Sequence, residues 1–442
     1  MSPRGRFHGI AVLLALTILV VSATPASAGQ SAHGVGVIVE RFVDDTRVTP
    51  LSGDSPEKPE RTLETSIFYP TLGAGGAAVP DAVPDTDHGP YPIIVFSHGF
   101  SATPATYEDF IAELVAAGNV VAAPKFPLSS GGNETPPDAG DVVNQPADVS
   151  FVYDEIVGLS RDDDGPLAGL IDAKAFGVAG HSNGGITTMG LISHECCKDK
   201  RIKAAAVLAG TPSPYGDGDY NFKKMPPFIV VHGTEDSAVP YEDIARVFNT
   251  ARAPRAFLTV EGGGHGSAAT PSGPAGPSVV ASVVDFFAAF LEDDEEALAR
   301  LPEHAVPGVT DLVDATEKGS KNKIPIEEGP ELDRLAEVSP DRGLEGGQLV
   351  TVRWSGFSPG GVVNVVQCSP DRSEGTAGCD LARGKILQPD PTGEGELQIE
   401  VVEGPVGKAI CDADNPPCVI FVNDDSSLLP EASILVKIRF AK

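Results

Sequence analysis

Three side chains that could share an acyl-transfer reaction follow one another along the chain: Ser182, Asp236 and His265. Ser182 stands in GVAGHSNGG (177–185), a glycine-flanked serine after a short run of small and apolar residues. Turns collect both glycine and serine, so a G-x-S-x-G match is a modest signal on its own. A serine hydroxyl is a poor nucleophile at neutral pH and needs a base, which in turn needs an acid to orient it. The run PPFIVVHG leads into TEDSAVP, where Asp236 is the candidate acid and Glu235 its competitor; the turn after a strand favours the second carboxylate. The run AFLTVEG leads into GGGHG, which makes His265 the candidate base. Donors for a developing oxyanion are also required. IIVFSHGF ends in His98-Gly99-Phe100, so the backbone N–H groups of Phe100 and of Asn183, the residue after the serine, form the candidate pair. By mutational precedent each such donor lowers the barrier by about 3 kcal/mol. His98 is read as a hydrogen-bonding loop residue and His232 as a structural strand residue.

The elements that must position these groups can be read from periodicity. From about 32 to 301, short apolar runs alternate with amphipathic ones, the pattern of a mainly parallel sheet covered by helices. Strands are expected at 35–42, 64–69, 93–97, 120–124, 176–179, 204–208, 228–232 and 256–260, the first two as an antiparallel edge hairpin. Helices are expected at 107–117, 147–159, 186–193, 241–251 and 278–290. Each candidate residue then follows the carboxyl end of a strand, where open α/β sheets place their sites. Gly180, Gly184 and Gly185 would let the backbone turn sharply around Ser182. The order Ser, Asp, His is that of α/β-hydrolases, so the expected class is α/β with a doubly wound, mainly parallel sheet.

Composition bounds the rest. A chain of 442 residues, 41% hydrophobic and 21% charged, suits two or three folded domains. A net charge of -30 repels phosphate backbones and anionic lipid, which argues against a nucleic-acid partner. Arg4 and Arg6 precede an apolar run at 10–21, and Ala26 and Ala28 form an A-x-A site, so 1–28 reads as a secretory signal peptide and the mature chain starts near Gly29, outside the cell. The run is shorter than the roughly 20 apolar residues that span a bilayer, so no stable membrane insertion is expected. Six cysteines fit an oxidising compartment. Cys368 with Cys379, and Cys411 with Cys418, are spaced as short bridged loops, and no C-x-x-C pair or nearby histidine suggests zinc. Adjacent Cys196 and Cys197 could form a vicinal disulfide or remain two thiols. Asp217 and Asp219, in PYGDGDYN, read as a solvated acidic loop rather than a calcium site. The expected organisation is a catalytic domain at 29–302, a polar linker containing EKGSKNK at 303–337, and an all-β domain at 338–442. In the last, Ile434, Val436, Ile438 and Phe440 alternate with other residues, as do Leu397, Ile399 and Val401, the period of half-buried strands.

Residues 91–290 resemble the dienelactone-hydrolase-like branch of the α/β-hydrolases, which includes platelet-activating-factor-acetylhydrolase-like, chlorophyllase-like and actinobacterial polyester-hydrolase proteins. YPIIVFSHGF, VAGHSNGG, VVHGTEDSAVP and GGGHG carry the resemblance, together with the CC pair. It implies a serine hydrolase without metal or cofactor, cleaving carboxylic esters, lipid-like or polymeric ones included, through an acyl-enzyme. Polyester hydrolases usually show G-H-S-M-G and a different oxyanion loop; here Asn183 and His98-Gly99-Phe100 stand in those places, which argues against plastic or cutin as substrate. The stretch 210–225 is short for a lid, so an open cleft is expected, with 128–145 as one wall. Residues 338–442 resemble the neocarzinostatin family of small immunoglobulin-like β-sandwiches, on VSPDRGLEGGQLVTVRWSGFSPGGVVNVVQCSP, Cys379 and CDADNPPCVIFVNDD. That resemblance implies two bridges, Cys368–Cys379 and Cys411–Cys418, and Trp354 is read as core. The alternative function is a ligand-binding or sequestering protein that uses both folds as scaffold. The complete set of Ser182, Asp236, His265 and oxyanion loop favours the esterase, because a scaffold needs none of it.

Overall fold

The computed structural model describes residues 33–52, 56–133, 135–213, 219–252, 254–326, 333–357, 363–371, 378–380, 383–387, 392–407, 409–423 and 433–442. The expected signal peptide and Asp217 lie outside them. Strands β1 (Gly34–Asp44), β2 (Arg61–Thr71), β3 (Val79–Pro80), β4 (Tyr91–Ser97), β5 (Val120–Lys125), β6 (Ile171–His181), β7 (Ala204–Leu208), β8 (Phe228–Gly233), β9 (Arg255–Val260) and β10 (Thr310–Ala315) form one sheet. Their order is β10-β9-β8-β7-β6-β4-β5-β2-β1-β3. From β9 to β5 every neighbour is parallel, while β2 pairs antiparallel with β5 and makes the expected hairpin with β1.

Strands buried on both faces need apolar residues throughout, and successive side chains go to opposite layers. Ile93, Val95, Phe176, Val178, Phe228 and Val230 enter one layer. Ile94, Phe96, Ala179, Ala206, Ile229 and Val231 enter the other. Of helices α1 (Glu108–Ala116), α2 (Gln145–Arg161), α3 (Asn183–Ser193), α4 (Tyr241–Thr250) and α5 (Gly276–Leu291), the middle three close the first layer while α1 and α5 close the second. No helix of the described residues is long and apolar enough to cross a membrane.

The stretch 303–337 departs from the expected linker. β10 lies within it and pairs antiparallel with β9, from Thr310 opposite Val260 to Ala315 opposite Arg255. Farther on, Ile324 is buried in the first layer, its backbone bonded in both directions to the Asn249 amide at 2.9 Å. Arg255 Nη2 also donates to the Asn322 carbonyl at 3.2 Å. The chain thus stays packed against the first layer past 302, as far as Ile326. The sequence TDLVDA hides this strand because an edge strand with partly exposed faces carries few apolar residues.

In the C-terminal region, Leu335–Ser339, Leu349–Ser355 and Gly395–Glu400 make a three-stranded antiparallel sheet. Lys385–Leu387, Val363–Cys368, Val419–Asn423 and Ser433–Lys437 make a four-stranded one. Val350, Val352 and Trp354 point inward to a core shared with Val365, Ile399, Ile420 and Ile438, so the tryptophan is a core residue. Cys368 is joined to Cys379, Cys411 to Cys418, and Cys196 to Cys197. The fold is an α/β-hydrolase sheet followed by a smaller all-β domain.

Candidate active site

β6 ends at His181 and α3 begins at Asn183, so Ser182 alone makes the turn, at φ 57° and ψ -119°. A left-handed φ on a residue with a side chain costs about 1–3 kcal/mol and persists only where its surroundings leave no alternative. Here the surroundings are tight: a Cβ on Gly184 would overlap the Ser97 carbonyl, and one on Gly180 would overlap the Gly184 carbonyl. Only glycine at both places lets β4, β6 and α3 converge on the serine. The Asn183 N–H is a first-turn donor with no partner inside the helix, at the positive end of the helix dipole.

Ser182 Oγ lies 2.7 Å from His265 Nε2, and His265 Nδ1 lies 2.8 Å from Asp236 Oδ2. Asp236, just past β8, is held in turn: its Oδ1 accepts from the N–H groups of Ala238 and Val239, both at 2.9 Å, and His232 Nε2 stands 3.3 Å from Oδ2. Burial pushes this carboxyl up, but hydrogen bonds from His232, His265 and the Val239 N–H overcome burial and hold it well below the usual carboxylate range. Asp236 is therefore an anion at neutral pH. The Glu235 side chain is exposed.

The loop after β4 passes directly over the serine, since a Cβ on Gly99 would stand 3.3 Å from the Ser182 Cβ. In that loop the Gly99 N–H donates to Tyr107 Oη at 3.0 Å and the Ser101 N–H to the Ser129 carbonyl at 2.9 Å. Between them stands the Phe100 N–H. The insertion at 128–145 supports the loop from the side, with Gly131 N–H donating to the Ala102 carbonyl at 3.0 Å. His98 keeps to a loop role. Its Nδ1 faces the Gly99 carbonyl at 2.8 Å and must carry the proton; its Nε2 accepts from the Ser130 hydroxyl and the Phe126 N–H. Burial pushes His98 down to about 4, which keeps it neutral.

A model of the Chlorophyllase family matches residues 81–238, and a model of the Neocarzinostatin family matches 336–437. The chain carries a chlorophyllase-family α/β-hydrolase domain and a neocarzinostatin-family domain. The chlorophyllase-family segment supports a carboxylic ester hydrolase. No curated protein matches it. Among solved structures, a ferulic acid esterase from Streptomyces cinnamoneus aligns over 61% of this chain and 93% of its own, at 23% identity and a TM-score of 0.45. The chlorophyllase-family match stops at residue 238, so His265 reaches the hydrolase site from beyond the matched segment, by the geometry of β9 and its following loop.

Two residues at this site of the hydrolase domain have no sequence signal. Tyr107 Oη lies 2.9 Å from His181 Nδ1, and His181 Nε2 lies 2.9 Å from the His265 carbonyl. Their partners are remote in the chain, and nothing in the local spacing announces them. Burial pushes His181 down to about 4. His232 also does more than fill a strand, since it reaches the acid. Away from the site, among the described residues, His194, Cys196 and Cys197 gather ligand-type atoms within 4.8 Å. The two sulfurs are joined to each other, which removes the thiolates that a metal would need.

Proposed function

We propose that the hydrolase domain is a secreted serine esterase working through an acyl-enzyme. The observation that carries this reading is the continuous hydrogen-bonded set Ser182 Oγ to His265 Nε2 and His265 Nδ1 to Asp236 Oδ2. Ser182 Oγ attacks the ester carbonyl carbon while His265 Nε2 takes the hydroxyl proton, and Asp236 stabilises the imidazolium that forms. The carbonyl oxygen gains negative charge facing the Phe100 and Asn183 N–H groups. As the tetrahedral species collapses, His265 gives its proton to the departing alkoxide, which leaves as an alcohol. Water then attacks the acyl-enzyme with His265 again as base, releasing the acid and restoring Ser182. Phe100, 44% exposed in the loop that passes the serine, is an apolar side chain open to an ester with an apolar acyl or aryl part. Secretion is supported by the signal-peptide pattern at 1–28 and by the two bridges in the second domain.

The test uses the purified mature chain with a fluorophosphonate probe and p-nitrophenyl acetate. Labelling at one site per chain, lost together with turnover in Ser182→Ala, is the expected result. Retention of most turnover in that variant sinks the reading.

A further inference from the structure

The three catalytic parts of the hydrolase site come from distant stretches: the oxyanion loop after β4, the serine turn after β6 and the histidine loop after β9. One hydrogen-bonded relay runs through all three. The Gly99 N–H donates to Tyr107 Oη at 3.0 Å; Tyr107 Oη lies 2.9 Å from His181 Nδ1; His181 Nε2 lies 2.9 Å from the His265 carbonyl. Every direction in it is fixed. A carbonyl only accepts, so His181 Nε2 bears the proton and donates to His265. In the neutral imidazole Nδ1 is then bare and accepts, so the Tyr107 hydroxyl donates to it and receives the Gly99 N–H on its oxygen. Both side chains are buried, Tyr107 at 7% and His181 at 7% exposure, so water is a poor substitute for any lost partner. The rings also pack: Tyr107 and His181 centroids are 5.5 Å apart, and those of His181 and His265 4.8 Å.

We infer that Tyr107 and His181 are positioning residues that set the Phe100 N–H and the His265 imidazole against each other across Ser182. The inference rests on the serine-esterase reading of the same site. By holding the Gly99 N–H, Tyr107 fixes the His98–Gly99 peptide, one before the peptide that carries the Phe100 N–H, and so restrains the direction of that next N–H through Gly99. By donating to the His265 carbonyl, His181 fixes the backbone from which the base projects. Neither residue touches the reacting atoms. An oxyanion donor acts mainly in the transition state, so a loosened relay should lower kcat and leave KM near its value.

The variants are Tyr107→Phe, His181→Asn and His181→Gln in the full chain. Phe keeps the ring and removes the hydroxyl. Asn offers an amide oxygen where Nδ1 stands and keeps the link to Tyr107; Gln offers an N–H toward the His265 carbonyl and keeps that link alone. We expect Tyr107→Phe to lower kcat on p-nitrophenyl acetate by roughly 10- to 100-fold with KM within about twofold. Affinity for a trifluoromethyl ketone, which forms a tetrahedral adduct, should fall by the same factor as kcat/KM, while fluorophosphonate still labels Ser182 to completion, more slowly. Each His181 variant should fall short of the native enzyme in both measurements. A purely structural role would lower the melting temperature without moving ketone affinity and kcat/KM in parallel, and that outcome overturns the inference, as does unchanged kcat in Tyr107→Phe. If Tyr107→Phe does not fold, the two His181 variants decide by the same criteria. Failure of the underlying reading is distinct: there, Ser182→Ala itself keeps turnover and labelling.

Discussion

The hydrolase domain buries two apolar layers against a ten-stranded sheet, whereas the neocarzinostatin-family domain has a smaller core and two disulfides. β4 and β8 bury every residue, while Leu349–Ser355 buries every second one. The first domain holds one disulfide too, but Cys196–Cys197 closes no loop and restricts almost nothing in the unfolded chain. All nine histidines precede residue 305, and the second domain has none. Size explains the contrast. A large sheet covered on both faces can carry buried histidines, a strained serine and close backbone contacts; a domain of about a hundred residues buries a smaller fraction of its surface and gains more from a bridge.

The strongest way to break this division is at the acid. Asp236→Asn should reduce kcat by roughly 10⁴-fold, since a neutral partner neither holds the right histidine tautomer nor stabilises the imidazolium. Glu235→Gln should leave kcat nearly unchanged. Steady-state kinetics on p-nitrophenyl acetate check both; a reversed pattern assigns the acid to Glu235. The melting of the second domain should not respond to either change.

Truncation tests where the two domains divide. A chain ending at residue 326 should keep kcat on the soluble ester, because β10 and Ile324 remain in place. One ending at 302 loses both, exposing the β9 edge and a gap in the first layer, and should melt at least several degrees lower or aggregate. Equal melting temperatures would mean that β10 is dispensable to the sheet. If the second domain also holds the enzyme at an insoluble substrate, the 326 chain should lose rate there and not on the soluble ester.

The bridges give an effect confined to the other side. Replacing Cys368 and Cys379, or Cys411 and Cys418, by serine should destabilise the second domain by about 2–4 kcal/mol per bridge. Esterase kinetics should not change. Calorimetry read beside activity tests this, and loss of activity in step with the bridge would show that the domains are not independent.

How much of this was legible depended on whether a residue's role is local. The serine turn could be read because its glycines answer a steric demand within four residues, and Asp236 and His265 because each follows an apolar run of strand length. The expected helices differ from α1 to α5 by a few residues at their ends. β6 begins earlier than expected, at Ile171, because its half-exposed first residues pair with the start of β4. β10 is not legible in the sequence because its partner across the sheet, not its own composition, makes it a strand. Tyr107 and His181 are not legible for the same reason in three dimensions: a tyrosine before a helix and a histidine before a serine acquire meaning only through Gly99 and His265.

The smallest expected effect sharpens the contrast through acid. His98 and His181 are pushed down to about 4 by burial, against an ordinary value near 6.5 in the unfolded chain. A depressed folded value means that the unfolded state binds more protons between those limits. Their contribution to stability is therefore complete above pH 6.5 and is lost as the pH falls toward 4 and below. Asp141 opposes them: burial, and Asp148 beside it, outweigh the Arg61 charge and push its carboxyl up to about 6, so it favours the folded state as the pH drops through that value. Glu292, pushed up by burial and by Asp294, sides with Asp141, while the lowered carboxyls of Asp199, Asp236 and Asp285 side with the two histidines and leave a net decline. The hydrolase transition should thus move to lower temperature between pH 6.5 and 4, while the second domain, lacking histidine, should move much less over the same interval. Calorimetry across that range tests the point, and a hydrolase transition that holds steady or rises would show that the two buried imidazoles do not govern the domain's response to acid.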